Sequence, residues 1–130
     1  MFLDFERSLR LFQSAPNPHI IKIFFYLAIH QPKDDIRGFK INKLQLQFDL
    51  KLSRTVFFNS LHWLKDNSFI QEIKLVEESD FMVNPYIFMN DGDKEARIAE
   101  WNRRCMLDSQ RKIRLRKEKR RRQQKIASQQ

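Results

Sequence analysis

Residues 42–70 read NKLQLQFDLKLSRTVFFNSLHWLKDNSFI, and how this stretch divides into helices decides the fold. Asn42 has a side-chain oxygen suited to the free amides of a helix start. It predicts a short helix over 43–48, with Leu44 and Phe48 four residues apart on one face. Residues 49–52 form the turn. Ser53 then caps a longer helix that runs to about residue 67. In that helix Phe57, Leu61 and Leu64 recur at i, i+4 and i+7 and face a core. Arg54, Thr55, Phe58, Asn59 and His62 are left on the other faces.

On the N-terminal side, Phe2, Phe5, Leu9 and Phe12 are spaced 3, 4 and 3 apart and predict an amphipathic helix over 2–12. Ser14-Ala15-Pro16-Asn17-Pro18 ends it. Asn17 is a suitable cap, and Pro18 a suitable first residue, for the next helix. Residues 19–29 are apolar on almost every face and predict a buried central helix. Residues 31–35 are a loop, and residues 37–41 suit a short strand.

On the C-terminal side, residues 69–76 alternate as a strand, 77–80 are a polar turn, and Phe81-Met82-Val83 is the returning strand. Asn84-Pro85 ends that strand. Asn90-Asp91-Gly92-Asp93 precedes a long helix that starts near Lys94, with Ile98, Trp101 and Cys105 as its apolar side. The predicted order is buried helix, short strand, short helix, turn, longer helix, two-stranded hairpin. This is the order of a winged helix-turn-helix, a mainly α fold with a small β-hairpin wing, here flanked by N- and C-terminal helices. The chain divides into an N-terminal helix (1–14), a winged domain (15–90), a C-terminal helix (91–110) and a basic tail (111–130), disordered or frayed. There is no internal repeat.

In this fold the second helix of the pair packs by one stripe and offers the other to a DNA major groove, which is about 12 Å wide. Ser53, Arg54, Thr55, Phe58, Asn59 and His62 are the candidate contacts. Arg54 suits guanine or a phosphate, Asn59 suits adenine, and Thr55 and Phe58 suit thymine methyls. A capped two-faced helix also occurs in plain helical bundles, where Arg54 is solvated, Phe58 is core and His62 is a surface residue.

The formal net charge is +9, and its location is informative. Residues 1–110 hold 15 Lys/Arg against 15 Asp/Glu, whereas residues 111–130 hold 10 against one, Glu118. The tail cations are Arg111, Lys112, Arg114, Arg116, Lys117, Lys119, Arg120, Arg121, Arg122 and Lys125. Such a run binds phosphate with strong salt dependence and reads no bases. Its alternatives are a solvated end, an RNA-binding segment and an anionic membrane surface. The last is a poor fit because only Ile113 and Leu115 are apolar within it.

Several classes of function are disfavoured. Two distant glycines, Gly38 and Gly92, make no phosphate-binding loop. His19, His30 and His62 lack metal-ligand spacing, and Cys105 is alone. No nucleophilic triad is suggested. Tyr26 and Tyr86 read as packing residues, which argues against a DNA-nicking enzyme. No cofactor, no metal and no enzymatic activity are expected. The single cysteine suits a reducing compartment. The longest apolar run, residues 20–29, is interrupted by Lys22 and is about half of what spans a bilayer. A cytoplasmic protein without membrane contact is expected.

Residues 52–70 resemble the recognition helix and first wing strand of the MarR-like winged-helix group. Residues 81–94, FMVNPYIFMNDGDK, resemble the segment after the wing in RepL-type plasmid replication initiators. The matching elements are Val83-Asn84-Pro85 and Gly92-Asp93-Lys94, although Lys94 directly follows Asp93 where that family inserts residues. The resemblance spans roughly residues 2–103 and excludes the tail. It implies a non-enzymatic initiator that binds double-stranded DNA at a plasmid origin, maintains the plasmid and recruits host replication proteins. It also implies that the flanking helices support a homodimer; the stripes of residues 2–12 and 98–105 would serve it, and they suit packing on the chain's own core equally well. The same fold equally serves a transcriptional repressor or copy-number regulator, and an RNA-binding or scaffold protein would use the tail instead. One departure concerns the wing, where Glu77, Glu78 and Asp80 place negative charge on the side that phosphate would approach.

Overall fold

The computed structural model describes residues 5–33, 36–88 and 92–129. Among them are five helices and a three-stranded antiparallel sheet, and 63% of the described residues are helical. The elements are α1 (Phe5–Gln13), α2 (His19–Ile29), β1 (Phe39–Ile41), α3 (Lys43–Leu50), α4 (Arg54–Asp66), β2 (Ile70–Lys74), β3 (Ser79–Val83) and α5 (Lys94–Ser128). The expected residues 1–4 of the first helix, Asp34-Asp35 of the loop, and Asn90 and Asp91 before α5 lie outside the described residues.

Local capping sets the helix starts. Asn42 accepts from the Leu44 and Gln45 amides, Ser53 from Val56, and Asp93 from Ala96. Each satisfies an amide that the first helical turn leaves free. At α2 the Asn17 Oδ1 accepts from the His19 amide at 3.0 Å, and Pro18 already has helical dihedrals. The cap therefore works as expected, one residue before the formal helix boundary. Between α3 and α4, Lys51 adopts left-handed geometry at φ 55°, which ends α3 and turns the chain.

Strand order is β1-β3-β2, so β3 is central. All five of its residues are buried, unlike a half-solvated strand. The reason is a layer on each face. Phe81 and Val83 join the main core with Ile20, Ile23, Phe24 and Leu27 of α2, Leu46 and Leu50 of α3, and Phe57, Leu61 and Leu64 of α4. Alternate β3 residues point the other way. Asp80 on that second face meets Arg104 of α5.

Several expected faces are placed differently. On α3 the core side is Leu46 and Leu50, while Leu44 and Phe48 are exposed. The segment KLQLQFDL alternates apolar and polar, so the two pairs lie on opposite sides of a helix and only one can face inward. On α1, Leu9 is exposed; Leu11 and Phe12 pack on the core, with Phe12 4.4 Å from Phe69 between ring centroids. On α2, Ile21, Phe25 and Ile29 remain exposed along an outer line, so this helix is covered on one side only. The first hairpin strand is shorter than expected, and its tip is closed by the Leu75 amide donating to the Glu78 carbonyl.

α5 differs most. Its buried side is Arg97, Glu100, Trp101 and Arg104, and Cys105 is exposed. Arg104 donates to both oxygens of Asp80, at 3.0 and 3.4 Å, and to Glu100 at 3.0 Å. Asp80 is thus a buried strand residue holding α5, and it contributes no charge to the hairpin tip. The Arg103 guanidinium donates to Glu100 and, with Arg104, outweighs burial to hold that carboxyl down at about 2. Gln71 Nε2 donates to the Trp101 carbonyl. The helix continues without a break through residue 110 to Ser128, and every described residue after Arg104 is exposed.

Candidate nucleic-acid interface

α4 is two-faced because Phe57, Ser60, Leu61 and Leu64 are drawn into the core. Arg54, Thr55, Asn59 and His62 are consequently exposed on the outer side. Thr55, Asn59 and His62 follow an i, i+4, i+7 line that ends at Asp66, which is also exposed. The anionic residue therefore sits at the C-terminal end of the line, away from the electropositive helix start.

Ser53 has a capping role, because its hydroxyl oxygen is occupied by the Val56 amide at 3.3 Å. Phe58 is half-buried against the core, so little of its ring is available for an outside contact. The ring has a different use. Lys43 Nζ lies 5.8 Å from its centroid and Arg54 Cζ 5.7 Å. Cations are attracted to the ring face at such distances. Phe58 thus holds Arg54 beside the start of α4 and brings the start of α3 next to it.

Three further exposed or helix-opening cations of this part of the chain were not singled out in the sequence. Lys40 on β1 and Lys51 in the turn are exposed, and Lys43 opens α3. Lys51 lies in the turn just before α4, at the left-handed position that ends α3. The position of Lys40 depends on the sheet and leaves no local signal.

Glu72 of β2 is the electrostatic centre beneath this surface. Its side chain is 2% exposed, and it meets Lys43 and Lys65 at 2.9 Å each. Ser79 Oγ also donates to it, at 2.6 Å. Burial pushes this carboxyl up, but the hydrogen bonds from Ser79, Lys43 and Lys65 outweigh it and hold the group at about 2. One carboxylate thereby ties the start of α3 and the end of α4 to the sheet. The β2–β3 hairpin is also tied to α3, since Asn42 Nδ2 donates to the Glu77 carbonyl at 2.8 Å. Glu77 and Glu78 are exposed at its tip.

The ten tail cations, Arg111 to Lys125, are all exposed on α5. Lys112 pairs with Asp108 at 3.2 Å, an i,i+4 surface pair. Tyr26 donates its hydroxyl to Asp49, and burial together with that carboxylate pushes its pKa up, which disfavours the phenolate. Among the described residues no group of three or more His, Cys, Asp or Glu side chains is arranged to hold a metal. Nor is any described helix long and apolar enough to cross a membrane.

The residues carrying the family resemblance build turns. Asn84 is buried, donates to the Ser68 carbonyl at 2.8 Å, and accepts from the Tyr86 amide at 3.0 Å. Gly92 has φ 99°, and a Cβ there would lie 2.6 Å from the Lys33 carbonyl oxygen. Asp93 caps α5. Of the two stripes expected to support a dimer, Phe12 at the end of the first and Trp101 in the middle of the second are packed or buried within the chain, while Leu9 is exposed. No protein-family model, curated protein or solved structure matches this chain.

Proposed function

We propose that the chain is a winged helix-turn-helix protein that binds double-stranded DNA, with α4 as the recognition helix and the β2–β3 hairpin as the wing. The observation that carries this reading is the exposed N-terminal half of α4. Arg54, Thr55 and Asn59 stand together there beside Lys51, directly after a tight turn. A recognition helix makes its base contacts from its N-terminal residues. The order of elements and the β1-β3-β2 sheet support the same fold. The cations of α5 add a sequence-independent grip on phosphate.

Within that class the reading is a plasmid replication initiator that binds an origin without cutting it and recruits host replication proteins. It rests on the resemblance at Val83-Asn84-Pro85 and Gly92-Asp93-Lys94. A transcriptional repressor or copy-number regulator would use the same surface, because fold does not fix function.

The test is binding to DNA fragments that cover the gene and its flanks, using the full chain and a chain ending at residue 110, at two salt concentrations. The shortened chain keeps every buried residue of α5. It is expected to select one fragment, more weakly but with undiminished preference. Loss of all selection with the tail would favour an RNA-binding or scaffold role. A suicide vector carrying the gene and its flanks then separates the two DNA-binding roles. Replication in a permissive host supports the initiator, and no replication despite expression of the protein supports the repressor.

A further inference from the structure

The outer part of α5 makes no use of the rest of the fold. Cys105 still accepts from Gln71 Nε2, but from Met106 to Gln129 every residue is exposed, and the helix continues through a run of ten cations and one acid. At 100° per residue, Arg111 and Arg122 share one direction, Lys112, Arg116 and Lys119 the next, Lys117 and Arg120 the opposite side, and Arg114, Arg121 and Lys125 the last. No gap between neighbouring cation directions exceeds about 60°. Met106, Leu107, Ile113, Leu115 and Ile126, the large apolar residues of this part, form no continuous stripe.

This distribution selects among polyanions. A flat anionic surface, whether a membrane or an acidic protein face, meets one side of a helix and leaves the remaining cations unneutralised. A concave anion with charge on both walls meets most of them. The major groove of B-form DNA is such a surface, and its width of about 12 Å accepts a helix about 10–12 Å across. Residues 111–125 are about 22 Å long as a helix and pass six or seven base pairs, or about thirteen phosphates on the two walls. The deep, narrow major groove of A-form RNA does not admit side chains in this way.

We propose that the free part of α5 seats as an intact helix in the major groove of duplex DNA, as a second DNA element alongside α4. This rests on the DNA-binding reading above and deepens it. The buried Arg104–Asp80–Glu100 cluster fixes the inner part of α5 to the sheet, so the rod leaves the domain in a set direction. The helix works as a shape and not only as a store of charge.

Glu118 provides the test, in the full chain. Glu118→Pro removes the only acid of the run and breaks the helix at its centre, while keeping all ten cations. Glu118→Ala removes the same charge and keeps the helix. Binding of both to a 20-base-pair duplex of arbitrary sequence is measured by fluorescence anisotropy, with circular dichroism and thermal melting to verify the body of the fold. The groove-seated helix predicts that Glu118→Pro binds about tenfold or more weakly than Glu118→Ala. It also predicts that the wild-type chain prefers duplex DNA to single strands and to duplex RNA of the same length. Equal binding by the two variants overturns the proposal, as does equal or tighter binding to single strands or RNA. If the proposal fails in this way while the wild-type chain still selects one fragment of its own flanks, the α4 reading stands. Failure of both measurements removes the DNA-binding reading itself.

Discussion

Replacing Glu72 with glutamine removes the charge that joins two helices to the sheet and leaves the shape of the side chain in place. The wild-type carboxylate faces Lys43, Lys65 and Ser79 within 2.9 Å and is depressed from its ordinary 4.5 to about 2. A depression of that size corresponds to about 3 kcal/mol, at about 1.4 kcal/mol per tenfold change in proton affinity. The two lysine side chains are 26% and 28% exposed, so solvent screening lowers the expected contribution to about 1–2 kcal/mol. Urea unfolding at pH 7 should show a Glu72→Gln chain less stable by that amount, with an unchanged denaturant slope. The pH dependence fixes the cause. The folded state favours the ionised carboxyl, so its contribution is complete above about pH 4.5 and is lost as pH falls toward 2. Glutamine does not titrate, so the gap between the two chains should close over that window. A gap that stays constant down to pH 2.5, or no gap at pH 7, would refute this account of the Glu72 cluster.

Four further substitutions probe the fold. Gly38→Ala would place a Cβ 2.0 Å from Asp80 Oδ1 and 2.5 Å from the Phe81 carbonyl oxygen; thermal unfolding should show a loss of about 1–3 kcal/mol from the forced shift. Arg104→Ala leaves Asp80 buried without its cation and should cost about 3–5 kcal/mol by urea unfolding. Leu46→Ala opens the core and should cost about 2–5 kcal/mol, whereas Phe48→Ala on the opposite side of α3 should stay within about 0.5 kcal/mol. Equal losses in that pair would reverse the assignment of the inner face of α3.

What was legible in the sequence was mostly local. Asn42 and Ser53 each bond an amide two or three residues ahead, so a short reading frame contains the whole interaction. The Phe57, Leu61 and Leu64 stripe was legible because one helix face carries it alone. Alternation in α3 gave two equivalent apolar pairs, and only the surrounding helices decide that Leu46 and Leu50 turn inward. Asp80 looked like a turn residue because its partner Arg104 is 24 residues away. On the buried side of α5 Trp101 was legible, but Arg97, Glu100 and Arg104 were missed because apolar periodicity does not register charged residues. In the candidate site the exposed line of Thr55, Asn59 and His62 was legible from helical spacing. The placement of Lys43 beside Phe58 and Arg54 depends on how α3 meets α4, which no local pattern encodes.

The most direct test of the central claim compares wild-type, Arg54→Ala and Asn59→Ala chains on the selected duplex and on random duplex at one fixed salt concentration. If α4 reads bases, each variant should lose about 1–3 kcal/mol on the selected site and almost nothing on random DNA. Equal losses on both duplexes, or none on either, would contradict the assignment of α4 as the element that reads sequence.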